Sequence, residues 1–212
     1  MKIFLIGVTG IIGSRILKEA VNRGHTVTAV SRHEGNLQAQ EHARIVQADA
    51  KDTQRLIELT AGQDAIVSSL SPRGDNGREQ YLAAIRSVLA AAETNHTPIA
   101  LFVGGLSNLF TSNGRRILDQ LLEQVPAEKL AEPIAVADAR AIIEKSAANW
   151  AFFCPGGNIT PGERTGKFRL GGAQALADLG VTLSISTEDY AVATIDEIEH
   201  PQHLRQIFNI CY

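Results

Sequence analysis

Three glycines at intervals of three, in Gly7-Val8-Thr9-Gly10-Ile11-Ile12-Gly13, stand between a β-rich run and a stretch of helical periodicity. The run before them is Lys2–Ile6; the stretch after them carries Ile12, Ile16, Leu17, Ala20 and Val21 at helical spacing. This arrangement leaves few folds open. Gly7 suits a tight strand-to-helix turn, Gly10 lets an anionic group approach the backbone, and Gly13 lets the helix lie close to the strand. With 18 glycines in 212 residues, such spacing arises by chance roughly 0.1 times per chain, and a strand–helix junction lowers that about a hundredfold. A helix start also supplies unpaired N–H donors and a partial positive charge, the conditions a diphosphate needs. The turn therefore predicts a bound dinucleotide held by Gly7, Thr9, Gly10, Ile11, Ile12 and Gly13; the bland alternative is a glycine-rich turn without a ligand.

The pattern beyond the turn repeats strand and helix. Gly24 closes the first helix, Thr26–Val30 and Arg44–Gln47 read as strands, and 53–60 reads as a helix. Ala65–Leu70 follows as a strand, 78–93 as an alanine-rich helix and Ile99–Val103 as a strand. Apolar runs of about five residues without clean alternation suit parallel strands covered on both faces, so the fold class is α/β, a doubly wound parallel sheet. The later half predicts helices over 115–124 and 134–148, a strand Trp150–Phe153 and a loop-rich stretch 154–172 with six glycines. Ser186 reads as the N-cap of a helix reaching about Glu199, with Pro201 beyond it; 173–186 carries no clear pattern. At roughly 150 residues per domain the length predicts a single domain over 1–212.

Charge and cysteine content narrow the partners. Twenty basic and 23 acidic side chains give a net charge of −3, far from the basic excess that nucleic-acid binding requires, so no nucleic acid is expected. No apolar run approaches the ~20 residues of a membrane span, and Arg15 and Lys18 interrupt the first one; no membrane partner and a cytoplasmic location are the expectation. The two cysteines, Cys154 and Cys211, are too few for a disulfide framework. Cys154 has no histidine arranged beside it and reads as packing. His200 and His203 have i, i+3 spacing, but Pro201 intervenes and no ligand cluster accompanies them, so no metal is expected.

The second strand ends in Val30-Ser31-Arg32, where an NAD-binding chain usually places an acid for the ribose 2′-hydroxyl. No acid stands there. Ser31 can donate to a 2′-phosphate and Arg32 can pair with it or stack on adenine, which favours NADP(H), with NAD(H) possible. The alternative makes Arg32 a solvated loop residue and Glu34 the ribose ligand. Asp49, past the third strand, suits either the adenine amino group or a helix cap. Leu70 and Ser71, after the fourth strand, belong at the carboxyl edge of the sheet, where ligands bind in open α/β folds.

Taken together, GVTGIIG, Ser31-Arg32, Gly104-Gly105-Leu106-Ser107, Trp150-Ala151-Phe152-Phe153-Cys154-Pro155, the segment Pro161–Gly166 and Ser186-Thr187-Glu188-Asp189-Tyr190-Ala191 carry a resemblance. Over nearly its whole length the chain resembles the atypical short-chain dehydrogenase/reductases with an NAD(P)H-binding domain, specifically the small bacterial NADH-flavin reductase group. It is more distantly similar to biliverdin reductase B and NmrA-like proteins. The resemblance implies a Rossmann fold, a bound nicotinamide dinucleotide and, in some members, hydride transfer to flavin or quinone-like acceptors. The Tyr-x-x-x-Lys pair of the main short-chain dehydrogenases is missing: Ile85 follows Tyr81 by four, Thr194 follows Tyr190, and Tyr212 is the last residue. Carbonyl reduction by that pair is thereby disfavoured, whereas a flavin takes hydride without it.

On that resemblance the acceptor region falls on 104–125 and 154–186. Ser107 is the weak catalytic candidate, Pro155 and Gly156 are expected against the nicotinamide, and Arg164 against a flavin phosphate or an acidic acceptor, the bland alternative being a solvated loop arginine. The expected function is an NADP(H)-dependent oxidoreductase with a small-molecule acceptor, FMN or a related flavin. The alternative is an NmrA-like redox sensor that binds dinucleotide without turnover; a third reading is an isomerase or reductase of a dedicated metabolite. The alanine-rich helix 78–93 is a possible homodimer face.

Overall fold

The computed structural model describes residues 1–32, 41–73, 77–176 and 183–212. Its first half runs β1 (Lys2–Ile6), α1 (Ile11–Asn22), β2 (Thr26–Ser31), β3 (Ala43–Gln47), α2 (Thr53–Thr60), β4 (Ala65–Ser68), α3 (Gly77–Thr94) and β5 (Ile99–Val103). The second half adds α4 (Ile117–Gln124), α5 (Ala131–Ile143), β6 (Trp150–Pro155), β7 (Asn158–Thr160), β8 (Arg169–Gly171), β9 (Ser184–Ser186), α6 (Thr187–Glu199) and β10 (Gln206–Cys211). Eight strands form one sheet in the order β3-β2-β1-β4-β5-β6-β10-β8. Only β8, set against β10, is antiparallel within it; β7 and β9 form a separate parallel pair.

The expected doubly wound α/β fold of the Rossmann type is thus present, and alternation of side chains explains its two faces. In β1, Ile3 and Leu5 join one core cluster with Ile16 of α1 and Tyr190 and Ile195 of α6. Phe4 and Ile6 point the other way, into a cluster with Leu56 of α2, Val88 of α3 and Ala139 of α5. Both faces of the central strands are therefore dry, which is why their sequences lack polar alternation. On the α6 side Phe153 lies between two rings, stacked at 4.4 Å on Tyr190 and 4.2 Å on Phe208. From β1 the chain winds outward to β2 and β3, and from β4 it winds the opposite way. This reversal opens a crevice at the carboxyl ends of β1 and β4, the place where open α/β sheets bind ligands.

Several expected bounds shift for identifiable reasons. The helix expected over 134–148 is Ala131–Ile143: Pro133 lies in its first turn, where the missing N–H has no helical partner to lose. Its C-terminal side ends in a turn tied to α3, with Ser146 and the Ala147 N–H both bonded to Glu93. β4 stops at Ser68 rather than Leu70, since Ser69 and Leu70 bend over Gly7. The stretch 154–172 contains β7 and β8 besides loops. α3 packs against both α2 and α5, and Arg78, Glu79 and Arg86 are among its exposed residues. Among the described residues no helix is long and apolar enough to cross a membrane.

Candidate functional site

The turn between β1 and α1 is built on close backbone contact. Gly7 has φ +84°, the left-handed region that glycine alone enters without strain, and a Cβ there would lie 2.3 Å from the Ser69 carbonyl oxygen. A Cβ at Gly13 would lie 2.2 Å from the Gly7 carbonyl oxygen. No side chain could occupy either position without moving backbone. Gly10 closes the turn through its N–H to the Gly7 carbonyl at 3.0 Å and accepts the first helical bond, from Ser14 N–H at 3.0 Å. No side chain caps α1, and no acidic residue stands in its first turn. The N–H edge at Ile11 and Ile12 is therefore neither covered nor neutralised, and Ile11 is 56% exposed.

Beside this edge lies a cavity of about 160 Å³. Gly7, Thr9, Ser31, Arg32, Asp49, Leu70 and Ser71, all singled out from sequence, line it together. Gly10, Ile11 and Ile12, on the head of α1, are not among its lining residues, and Gly13 is buried in the first turn of α1, where it sets the helix-to-strand distance. Ser31 is buried at the end of β2, and Arg32 is exposed beyond it. Glu34, the alternative ribose ligand, lies outside the described residues. The helix-cap reading of Asp49 goes instead to Asp52, which accepts from Arg55 N–H at 3.0 Å. Asp49 accepts from Lys51 N–H at 2.9 Å and faces the Lys51 ammonium at 3.5 Å.

Other expected residues lie elsewhere. Ser107 is buried in a 3-10 turn, Leu106–Asn108, where its oxygen accepts from the Asn108 side chain at 3.4 Å. Pro155 and Gly156 are buried at the end of β6, and the Gly156 N–H donates to the Ile210 carbonyl at 2.7 Å. That donor is consequently engaged in the sheet. Arg164 forms a bidentate ion pair with Glu19 of α1, both bonds 2.8 Å, rather than standing free toward a phosphate. The Arg164 guanidinium is the leading cause that holds the Glu19 carboxyl below the usual range, with Arg23 adding to it against the opposing effect of burial. Cys154 is buried, and burial pushes its thiol up to about 12, the chemistry of an inert packing group. His203 stacks on Phe208 and bonds Glu197 at 2.8 Å. Among the described residues no group of three or more His, Cys, Asp or Glu side chains could hold a metal.

The cavity also has walls that sequence reasoning missed. Lys51, Gly77, Gln80, Tyr81 and Ala84 line it. A signal for the last of these was available: Tyr81, Ala84, Ile85 and Val88 share the buried face of α3, and the first turns of that face overhang the carboxyl edge of the sheet. The turn fits a dinucleotide on this chain's own geometry: a backbone cradle closed to side chains, an open N–H edge, and an adjoining cavity with cations on its wall.

The chain resembles known proteins over its full length. A family model described as NAD(P)H-binding matches residues 7–201. The uncharacterized protein YwnB of Bacillus subtilis (strain 168) is 33% identical over 222 residues, covering 99% of this chain and 98% of that one. A Bacteroides thetaiotaomicron protein provisionally named an epimerase is 34% identical with TM-score 0.87, over 100% of this chain and 96% of its own. A Streptococcus pneumoniae TIGR4 protein provisionally named an NADH-flavin reductase is 27% identical with TM-score 0.82, over 100% of this chain and 99% of its own.

Proposed function

The chain belongs to the NAD(P)H-binding family, and from that premise we propose that it is an NADP(H)-dependent oxidoreductase passing hydride to a flavin- or quinone-like acceptor, FMN or a relative. The observation that carries this reading is the glycine-built, uncapped head of α1 beside a cavity whose wall includes Ser31 and Arg32. The likeness to the Streptococcus pneumoniae protein supports the flavin as acceptor.

In this reading the N–H groups of Ile11 and Ile12 hold the diphosphate, Gly10 lets it approach the backbone, and Gly7 and Gly13 keep that edge clear of side chains. Ser31 and Arg32 hold the 2′-phosphate, and Asp49 accepts from the adenine amino group. Leu70 and Ser71 flank the sugar at the carboxyl edge of β4. The acceptor region is assigned to 104–125 and 154–186, with Ser107 the side chain nearest in role to a catalytic serine. When bound, the reduced nicotinamide supplies the hydride. The protein's part is to orient donor and acceptor and to exclude water, an effect that supplies several kcal/mol without an acid–base pair. This agrees with the missing Tyr-x-x-x-Lys pair: Tyr190, one of the tyrosines such a mechanism would recruit, is fully buried and donates to the Phe153 carbonyl at 2.7 Å.

The test follows NADPH absorbance at 340 nm with FMN, riboflavin and quinones, alongside calorimetry with both coenzymes. Oxidation above background, faster with NADPH than NADH, is expected. Tight NADPH binding with no turnover on any acceptor would replace this reading by the dinucleotide sensor.

A further inference from the structure

The cavity beside the glycine turn carries more positive charge than the proposed function uses. Among the described residues its charged lining side chains are Arg32, Asp49, Lys51 and Arg73, three cations against one carboxylate. Arg73 pairs at 3.4 Å with Glu132 of α5, which does not line the cavity. Arg32 is already assigned to the 2′-phosphate, and Lys51 is left without a role.

Strand register brings Lys51 to the same edge as Arg32. β2 and β3 run parallel with Ser31 opposite Gln47, and the Ala48 N–H donates to the Ser31 carbonyl at 3.2 Å. Arg32 thus follows the end of β2 where Asp49 and Lys51 follow the end of β3, on strands about 4.8 Å apart. The Lys51 backbone is fixed on both sides: its N–H donates to Asp49 at 2.9 Å, and its carbonyl accepts from the Ser87 hydroxyl of α3 at 3.1 Å. Its ammonium is held more loosely. It stands 3.5 Å from Asp49 Oδ2, beyond the roughly 2.7–2.9 Å of a charge-assisted bond. The two side chains are 41% and 49% exposed, so solvent screens their attraction and the ammonium is available to a stronger anion.

We propose that Lys51 is a specificity-determining residue for the coenzyme: its ammonium screens the Asp49 carboxylate and shares the 2′-phosphate with Arg32, an assignment that rests on the function proposed above. A carboxylate at this edge of an open α/β sheet favours a ribose 2′-hydroxyl, which can donate to it, and repels a 2′-phosphate. Asp49 is such a carboxylate, one strand over from the usual place. With Lys51 beside it, the acid can accept from the adenine amino group while the edge that meets the 2′-phosphate stays positive.

The experiment measures NADPH and NADH binding by calorimetry, with adenosine 2′,5′-bisphosphate and adenosine 5′-monophosphate as fragments that differ only in the 2′-phosphate. It compares wild type, Lys51→Gln and a double variant carrying Lys51→Gln and Asp49→Asn. Lys51→Gln is expected to weaken NADPH and the bisphosphate about tenfold, the effect of one charge-assisted contact, and to leave NADH and the monophosphate within about twofold. Removing the Asp49 charge as well is expected to recover about threefold of the lost preference for the 2′-phosphate, because the unscreened repulsion goes with it. An unchanged ratio of NADPH to NADH affinity in Lys51→Gln overturns the assignment, as does a double variant that recovers nothing. A loss shared equally by all four ligands marks Lys51 as a brace for Asp49 and overturns it too. Wild type that binds neither coenzyme, or that prefers NADH, refutes the function proposed above and this assignment with it; wild type that prefers NADPH no more strongly than Lys51→Gln does refutes this assignment alone.

Discussion

Replacing Gly13 by alanine tests the link between fold and binding at its narrowest point. The added Cβ would lie 2.2 Å from the Gly7 carbonyl oxygen, 2.8 Å from its carbon and 3.1 Å from the Val8 Cα. All three neighbours are backbone, so no side chain can swing aside and α1 must shift by about 1 Å. Overpacking costs about 1–3 kcal/mol, and a rigid backbone neighbour puts this case at the upper end. Alanine's better helix propensity returns about 1 kcal/mol, leaving a net loss of about 2. For a chain of this size that lowers the melting temperature by roughly 4–8 °C. Two controls separate crowding from backbone strain. Gly24 has φ +79° with nothing within 4 Å of a new Cβ, so Gly24→Ala costs the left-handed penalty alone, about 1–2 kcal/mol. Gly172 has neither constraint, and Gly172→Ala is expected to be neutral or to stabilise by up to about 1 kcal/mol. Only Gly13→Ala should also weaken NADPH, by at least about tenfold, because the shifted helix carries the N–H edge with it. Thermal melts and calorimetry on the three variants decide it. Gly13→Ala that melts within about 2 °C of wild type and binds NADPH equally well refutes the reasoning.

Arg32→Ala should lower the ratio of NADPH to NADH affinity about tenfold by removing a charge-assisted bond to the 2′-phosphate; titration with both coenzymes checks it, and an unchanged ratio returns Arg32 to the solvent. Glu19, Glu188 and Glu199 all have carboxyls held below the ordinary value near 4.5. For Glu19 the first cause is the Arg164 bond; for the other two, burial opposes the shift and hydrogen bonds outweigh it, from Gly162 N–H and Arg15 to Glu188 and from His25 and Arg23 to Glu199. A depressed native value means stability that is complete above the unfolded-state value and lost as pH falls through the native one. Melts from pH 7 to pH 3 should therefore decline below about pH 4.5, with a shallower decline in Glu19→Gln. Cys154 and Cys211 are both buried, and iodoacetamide at pH 8 should label neither in the native protein and both after unfolding.

The fold was legible wherever one residue pattern served one purpose. Lys2–Ile6, 53–60 and Ile99–Val103 match the structure at both ends because each is bounded by a turn residue or cap, the two strands being buried almost throughout and the helix burying Leu56 and Thr60 on one face. The Ser186 cap is equally local, its oxygen accepting from Asp189 N–H at 2.9 Å. β10 shows the opposite case. Asn209 sits in its middle, fully buried, and its amide N–H groups donate to the Gly172 and Gln174 carbonyls at 2.7 and 2.8 Å; a polar residue whose donors are met by a segment far away in sequence does not mark a strand until the fold is known. The same holds for the site. Gly7, Ser31, Asp49 and Ser71 announce themselves through position at strand ends. Tyr81 sits in a helix whose periodicity marks it only as core, and that it lines the cavity follows from where α3 lies over the sheet edge, which no spacing reveals.

Arg164 carries that lesson to the segment that most narrowed the resemblance, Pro161–Gly166. Its bonds run to the two helices of one face and away from the cavity: Arg164 to Glu19 of α1, Gly162 N–H to Glu188, and Thr165 and Gly166 to Asp189 of α6. Ser186 adds a bond to the Glu163 carbonyl at 2.7 Å. The segment is thus a strap that fastens α6 to the back of α1, on the helix whose head is the proposed phosphate-binding edge. Glu19 is 4% exposed and keeps Arg23 at 2.7 Å if Arg164 is removed, while Arg164 itself is 54% exposed. With solvent screening the exposed partner and a second cation remaining, Arg164→Ala should cost about 0.5–1 kcal/mol. A strap and a phosphate ligand then separate kinetically. If Arg164 only fastens, KM for FMN and for riboflavin, which lacks the phosphate, stays as in wild type for both; a rise confined to FMN means that the guanidinium leaves Glu19 for the flavin, and the strap assignment falls.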